Sequence, residues 1–184
     1  MKNYITYLFI AIAFLACDND DDNAGNPLDL LPPITTTGEN TIGCLVNGEA
    51  FTDSGLMNNF YQFVDGNYFL AINMNFNNGK LSKNLRIQFR RLEIDENQTY
   101  TLDKNDLDDG DFTGAKGQYT YSEDFSQGGL QFDTNMEFIG QVIFTKLDTN
   151  ANIMSGTFEF QAKEITSGEI ITITNGRFDL TFTK

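Results

Sequence analysis

Five aspartates crowd one stretch of this chain, LDKNDLDDGD: Asp103, Asp106, Asp108, Asp109 and Asp111 lie within nine residues. Carboxylates that close repel one another, and a hard cation such as Ca²⁺, which takes about six to eight oxygens, would relieve the repulsion. The spacing is not that of an EF-hand, because Gly110 at the sixth place would put Leu107 at a ligand position. A solvated acidic loop is the simpler expectation, and Ca²⁺ is the only cofactor these residues suggest. A second stretch, DTNANIMSGTFE, has Asp148, Asn150 and Asn152 at alternate places and Glu159 at the twelfth, but Ile153 stands where the turn glycine belongs. A hairpin tip explains it better than a metal loop. Glu159 and Asp179 each follow a phenylalanine, in GTFEF and GRFDL. On neighbouring strands, two such acids could serve glycoside hydrolysis at a suitable separation.

Other chemistries are excluded by composition. The chain has no histidine, which removes Ser-His-Asp and Cys-His triads and the common His-based zinc and iron sites. Of its two cysteines, Cys44 lies among apolar residues in GCLVNG and reads as a buried, inert thiol. The formal charge is −14 over 184 residues, which argues against nucleic acid and against charge-driven docking on anionic lipid. Tryptophan is absent, so stacking on a ligand would fall to Phe and Tyr. The candidates for such contact are Tyr61, Phe63, Tyr68 and Phe69 around the Asp65-Gly66 turn. Phe69 is out of phase with Leu70 and Ile72, so it is expected to be exposed.

The elements that must position these residues are strands. Leu70, Ile72, Met74 and Phe76 alternate with Ala71, Asn73 and Asn75; Leu85, Ile87 and Phe89 with Arg86 and Gln88; Phe178, Leu180 and Phe182 with Asp179 and Thr181. This period of two marks antiparallel strands with one buried face. Asn47-Gly48 and Asp65-Gly66 are two-residue hairpin signals. The apolar parity switches across Arg90-Arg91 and across Asn175-Gly176, so a bulge or bend is expected at each. The pattern predicts an all-β domain at residues 41–184, with eight to ten strands in an antiparallel sandwich or flattened barrel.

The start of the chain reads differently. After Lys2, Tyr4 to Ala16 is an apolar run too short to span a bilayer but suited to a secretory signal. It ends FLAC, and Ala16 before Cys17 resembles a bacterial lipoprotein cleavage site, which implies a signal peptide at 1–16 and a lipid on the Cys17 thiol. Asp18, Asp20, Asp21 and Asp22 follow at once and resemble the acidic export signal of Bacteroidota lipoproteins, implying display on the outer face of the outer membrane. Residues 17–40, acidic and then rich in Pro and Thr, are expected to be a tether. LPPITTTGENTIGCLVNGEAF, GTFEF and ITNGRFDLTF together resemble a Bacteroidota lipoprotein family, a domain of unknown function, which implies no activity and no site residues. The expectation is a cell-surface, non-enzymatic binding or structural module. Its partner would be a glycan, a protein or another envelope component. The alternative is a carboxylate-dependent, Ca²⁺-assisted enzyme acting on polysaccharide.

Overall fold

The computed structural model describes residues 25–53, 58–105, 112–124 and 128–184. Alternating sequence becomes strand throughout: β1 Thr41–Val46, β2 Glu49–Asp53, β3 Phe60–Val64, β4 Asn67–Asn77, β5 Ser82–Arg90, β6 Thr99–Leu102, β7 Gly114–Ser122, β8 Leu130–Asp133, β9 Gly140–Asp148, β10 Ile153–Glu164 and β11 Ile170–Thr181. Eleven strands exceed the eight to ten expected because β6 and β8, at four residues each, are too short for a period to register. Both hairpin signals hold: Asn47 and Gly48 have φ of 49° and 88°, and Asp65 and Gly66 have 50° and 78°. The paired positive φ values give the turn a twist that matches the flanking strands.

All eleven strands form one sheet in the order β2-β1-β11-β10-β9-β6-β7-β5-β4-β3, with β8 paired to both β10 and β7. Among the described residues the strand ladders are antiparallel except for the parallel pair Leu102↔Ala115 between β6 and β7, and an isolated bridge outside them, Phe60 to Thr183, is parallel too. The sheet curls back on itself. Phe60, at the start of β3, bridges Thr183, two residues past β11. The Tyr61 N–H donates to the Thr183 carbonyl, and the Thr183 N–H donates to the Asn59 carbonyl, both at 2.9 Å. Beyond β3 the free edge of β4 is covered by side chains: Asn59 Oδ1 accepts from the Asn73 N–H at 2.9 Å and Asp53 Oδ2 from the Asn75 N–H at 2.8 Å. Covering an edge in this way denies it to another strand.

The inner face is one continuous core. Leu70, Ile72 and Met74 of β4 meet Leu85, Ile87 and Phe89 of β5, Phe144 of β9, Phe158 of β10 and Phe178 of β11. Phe144 sits edge-on to Phe89 and Phe178, with centroids 5.7 Å and 5.6 Å away. At Asn175-Gly176 β11 carries one residue more than each neighbour: Thr174 to Arg177 spans Leu45 to Gly43, and Ile173 to Gly176 spans Phe160 to Phe158. Only glycine fits at the second place of this bulge, since a Cβ on Gly176 would stand 2.5 Å from the Phe158 ring and carbonyl. At the other parity switch β5 ends, and Arg91, with φ of 54°, turns the chain out of the sheet.

Residues 31–40 depart from the expected tether. After a 3₁₀ turn at Pro27–Leu30 that touches β2, Leu31 is buried and Pro32 lies where a Cβ on Gly43 would be, at 2.6 Å. Arg177 Nη1 donates to the Pro32 carbonyl at 3.3 Å. Asn40 Oδ1 accepts from the Thr181 backbone N–H at 2.9 Å. The prolines hold the strap extended, and its threonines and glycine offer donors that a carboxylate on β11 takes up.

Candidate functional site

That carboxylate is Asp179. It points outward from β11, yet the strap covers it completely. Its two oxygens accept five hydrogen bonds: Oδ2 from Thr35 Oγ1 at 2.7 Å, the Thr37 N–H at 3.0 Å and the Glu39 N–H at 3.1 Å, and Oδ1 from the Gly38 N–H at 2.8 Å and Ser155 Oγ at 2.7 Å. Burial alone would raise its pKa, but the bonds from Thr35, Ser155, Glu39 and Gly38 hold it below the ordinary carboxylate value. Asp179 pairs with Ser155, and Glu159 lies four residues farther along β10, roughly 13 Å away at strand rise. Glycosidase carboxyls sit about 5–9.5 Å apart, so these two acids are not so arranged. Glu159 instead accepts from Gln141 Nε2 at 2.8 Å on the exposed face.

Asp148, Asn150 and Asn152 form the β9–β10 turn. Asp148 Oδ1 accepts from the Asn150 and Ala151 N–H groups at 3.0 Å and 2.9 Å, and Glu159 lies well inside β10. Cys44 is buried, and burial pushes its thiol up to about 12, so no thiolate forms at neutral pH. Of the acidic loop, Asp103 is described and pairs with Lys104 at 3.2 Å; Asp106, Asp108, Asp109 and Asp111 lie outside the described residues. So do Cys17, Asp18, Asp20, Asp21 and Asp22. Among the described residues no cluster of three or more His, Cys, Asp or Glu could hold a metal ion, and no helix is long and apolar enough to cross a membrane.

The aromatic candidates separate by strand alternation. Tyr61, Phe63 and Tyr68 share the face of Leu70, because Tyr61 pairs with Leu70 and Phe63 with Tyr68 across the β3–β4 hairpin. This hairpin carries the inner face out to the Asp65-Gly66 turn. Tyr61 is buried there and stacks on Tyr68 at 5.5 Å, with an interplanar angle of 18°. Phe63, at the tip, is 63% exposed and packs on Tyr68 at 4.7 Å. Phe69 is a correction: it faces the outside of the sheet in a row with Gln62 and Arg90, and it is half-buried, not exposed.

The rings are held in place. Tyr61 OH accepts from the Ile94 N–H at 3.1 Å, and burial pushes its pKa up to about 12. The Glu93 carboxylate beside Tyr68 raises its pKa too. Val64, Thr149 and Lys184 complete a trough of about 470 Å³. Thr149 and Lys184 lie far from β3 in sequence; the bridge at Thr183 and the β9–β10 turn bring them there, and no local pattern marks them. The trough offers aromatic surface, a hydroxyl and an ammonium group, which suit contact with a partner more than proton transfer. No protein-family model, curated protein or solved structure matches the chain.

Proposed function

We propose that this protein is a non-enzymatic binding or structural module, lipid-anchored at Cys17, displayed on the outer face of the outer membrane, and meeting a glycan or protein partner through the Tyr61–Phe63–Tyr68 trough. The observation that carries the reading is Phe63, a large ring left 63% exposed while its underside is fixed by Tyr68. A rigid aromatic presented this way loses little conformational entropy on binding. The placement of the acids supports binding over hydrolysis, since Asp179 is clasped under the strap and Glu159 lies roughly 13 Å from it on β10. The address rests on Ala16-Cys17, which resembles a lipoprotein cleavage site, and on the aspartates that follow, which resemble the Bacteroidota export signal.

The test is a glycan and outer-membrane protein screen with the full chain and with Phe63→Ala and Tyr68→Ala. Loss of a central aromatic anchor is expected to weaken a true partner by about 30-fold or more. A partner that binds Phe63→Ala as well as the parent would refute the trough. The address is tested separately: Cys17→Ser is expected to lose its acyl label and its membrane retention. With Asp20, Asp21 and Asp22 replaced by alanine, the protein is expected to stay lipidated but escape protease shaving of intact cells.

A further inference from the structure

At the far end of β10 from the trough, two connections present bare apolar side chains. Met136 is 88% exposed, Ile165 64%, Ile139 53% and Ile170 47%. The two connections meet at the end of β10: the Ile139 carbonyl accepts from the Gln161 N–H, Ile170 pairs with Lys163, and Lys163 Nζ lies 5.2 Å over the Phe138 ring. Single exposed apolar residues are ordinary, but a group on adjoining turns is not. Both turns are rigid. Asn135 Oδ1 accepts from the Glu137 and Phe138 N–H groups at 2.8 Å and 2.9 Å. The Glu164 carboxylate accepts from the Thr166 and Ser167 N–H groups. Met136 and Ile165 are thus held outward by their own turns, with no neighbouring element among the described residues folded over them.

We infer that these turns rest on the lipid surface to which Cys17 tethers the domain. The inference depends on the lipid anchor proposed above. Chain length argues for that occupant. Gly25 lies eight steps along the chain from Cys17, and fully extended that lead reaches at most about 29 Å. β10 alone, at 12 residues, is roughly 36 Å long. An anchored domain therefore never moves farther from the bilayer than about its own length. Such a tether makes surface contact effectively intramolecular, so a few apolar side chains suffice where a free protein would need many. Charge sets the kind of surface. The formal net charge of −14, with Glu137 and Glu169 beside the tips, gives no charge attraction to anionic headgroups, so the contact draws on apolar burial and is tested on zwitterionic lipid. Thr149 precedes β10 and Ile165 follows it, so docking on the Ile165 end would leave the aromatic trough facing outward.

The test uses the full acylated chain in phosphatidylcholine vesicles, with one introduced cysteine carrying an environment-sensitive dye. Cys44 is buried and Cys17 acylated, so Met136→Cys, Ile165→Cys and Val64→Cys label selectively. Brominated lipid is expected to quench the dye at Met136→Cys and Ile165→Cys about twofold or more, since an interfacial contact sits roughly 5–10 Å into the headgroup boundary, and to leave Val64→Cys unchanged. Adding Ile139→Ser and Ile165→Ser is expected to abolish quenching at Met136→Cys while the protein still pellets with vesicles. Acylated, vesicle-bound protein with no difference between the two ends overturns the docking alone. Label-to-label contact between copies, lost with the same serines, also overturns it in favour of self-association. A chain with no acyl mass on Cys17 that fails to pellet overturns the anchor, and the docking with it.

Discussion

Replacing Asp179 by alanine tests whether the strap is part of the domain. The carboxylate accepts five hydrogen bonds, three from backbone N–H groups of the strap and two from hydroxyls. A hydrogen bond to a charged group contributes about 1.5–3 kcal/mol, and a buried donor left without a partner costs about 1–3 kcal/mol. The five do not add, because once the acceptor is gone residues 35–39 can lift away and rehydrate their donors. The loss is then bounded by the strap's own attachment, about 3–4 kcal/mol, near the cost of breaking other buried charged networks. With a urea slope of roughly 2 kcal/mol/M, the midpoint is expected to fall by about 1.5–2 M. Asp179→Asn keeps one acceptor oxygen and is expected to fall about half as far.

The same carboxylate has a pH signature. Its folded pKa lies below the ordinary aspartate value, so as pH falls the unfolded chain takes up the proton first. Stability from Asp179 is therefore complete above its unfolded pKa and erodes as pH drops through about 4 and below. The alanine variant is expected to lack that part of the acid slope. Hydrogen exchange at the Thr37, Gly38 and Glu39 amides is expected to quicken in the variant well before the core strand amides do. A variant within about 0.5 kcal/mol of the parent, the range of an ordinary surface substitution, would refute the reasoning. Slow exchange retained at those amides would do the same.

Other expectations follow from the packing. Gly43→Ala drives a Cβ into Pro32 and is expected to cost about 1–3 kcal/mol, read by the same unfolding assay, with faster exchange in the strap. Cys44 is expected to react with a thiol reagent only in denaturant, at a rate that tracks unfolding. For Ca²⁺, a site with a Kd near 10 μM would add about 2.7 kcal/mol at 1 mM, or about 5 °C or more in Tm. Less than about 2 °C between chelator and 1 mM Ca²⁺ is expected, since the Asp103–Asp111 spacing is not a ligand spacing and solvent screens exposed charge. A larger shift, lost in Asp106→Asn with Asp108→Asn, would argue for a Ca²⁺-dependent function.

What could be read in advance was whatever a period of two can carry. Leu85, Ile87 and Phe89 alternate because one face of β5 is buried, and the parity switch at Asn175-Gly176 marks a bulge because one added residue flips every side chain after it. Phe76 shows where the signal ends: it keeps the alternation of β4 but projects past the core and is exposed. Asp179 shows what the pattern hides. By parity it is one more polar residue on a wet face, and its burial depends on a non-periodic segment more than 140 residues earlier in the chain. The trough was half visible. Tyr61, Phe63 and Tyr68 cluster in sequence, but Lys184 arrives through the Phe60–Thr183 bridge and Thr149 on the β9–β10 turn, placements that no local pattern encodes.

The strap also changes what the proposed anchor can do. A tether running freely from Cys17 to Thr41 would have 24 residues and reach about 85 Å, enough for the domain to turn any face towards the bilayer. Leu31, Pro32 and the clasp at Asp179 fix the chain to the outer face of β1 and β11 and leave a far shorter lead. Shortening the lead raises the effective concentration of the lipid surface at the domain and restricts the orientations it can sample. Asp179 then has a consequence beyond stability. Freeing the strap with Asp179→Ala in the acylated protein is expected to weaken brominated-lipid quenching at Ile165→Cys, although the substitution lies nowhere near that turn. Unchanged quenching in a variant whose strap amides exchange freely would mean that the apolar turns hold the orientation without help from the clasp.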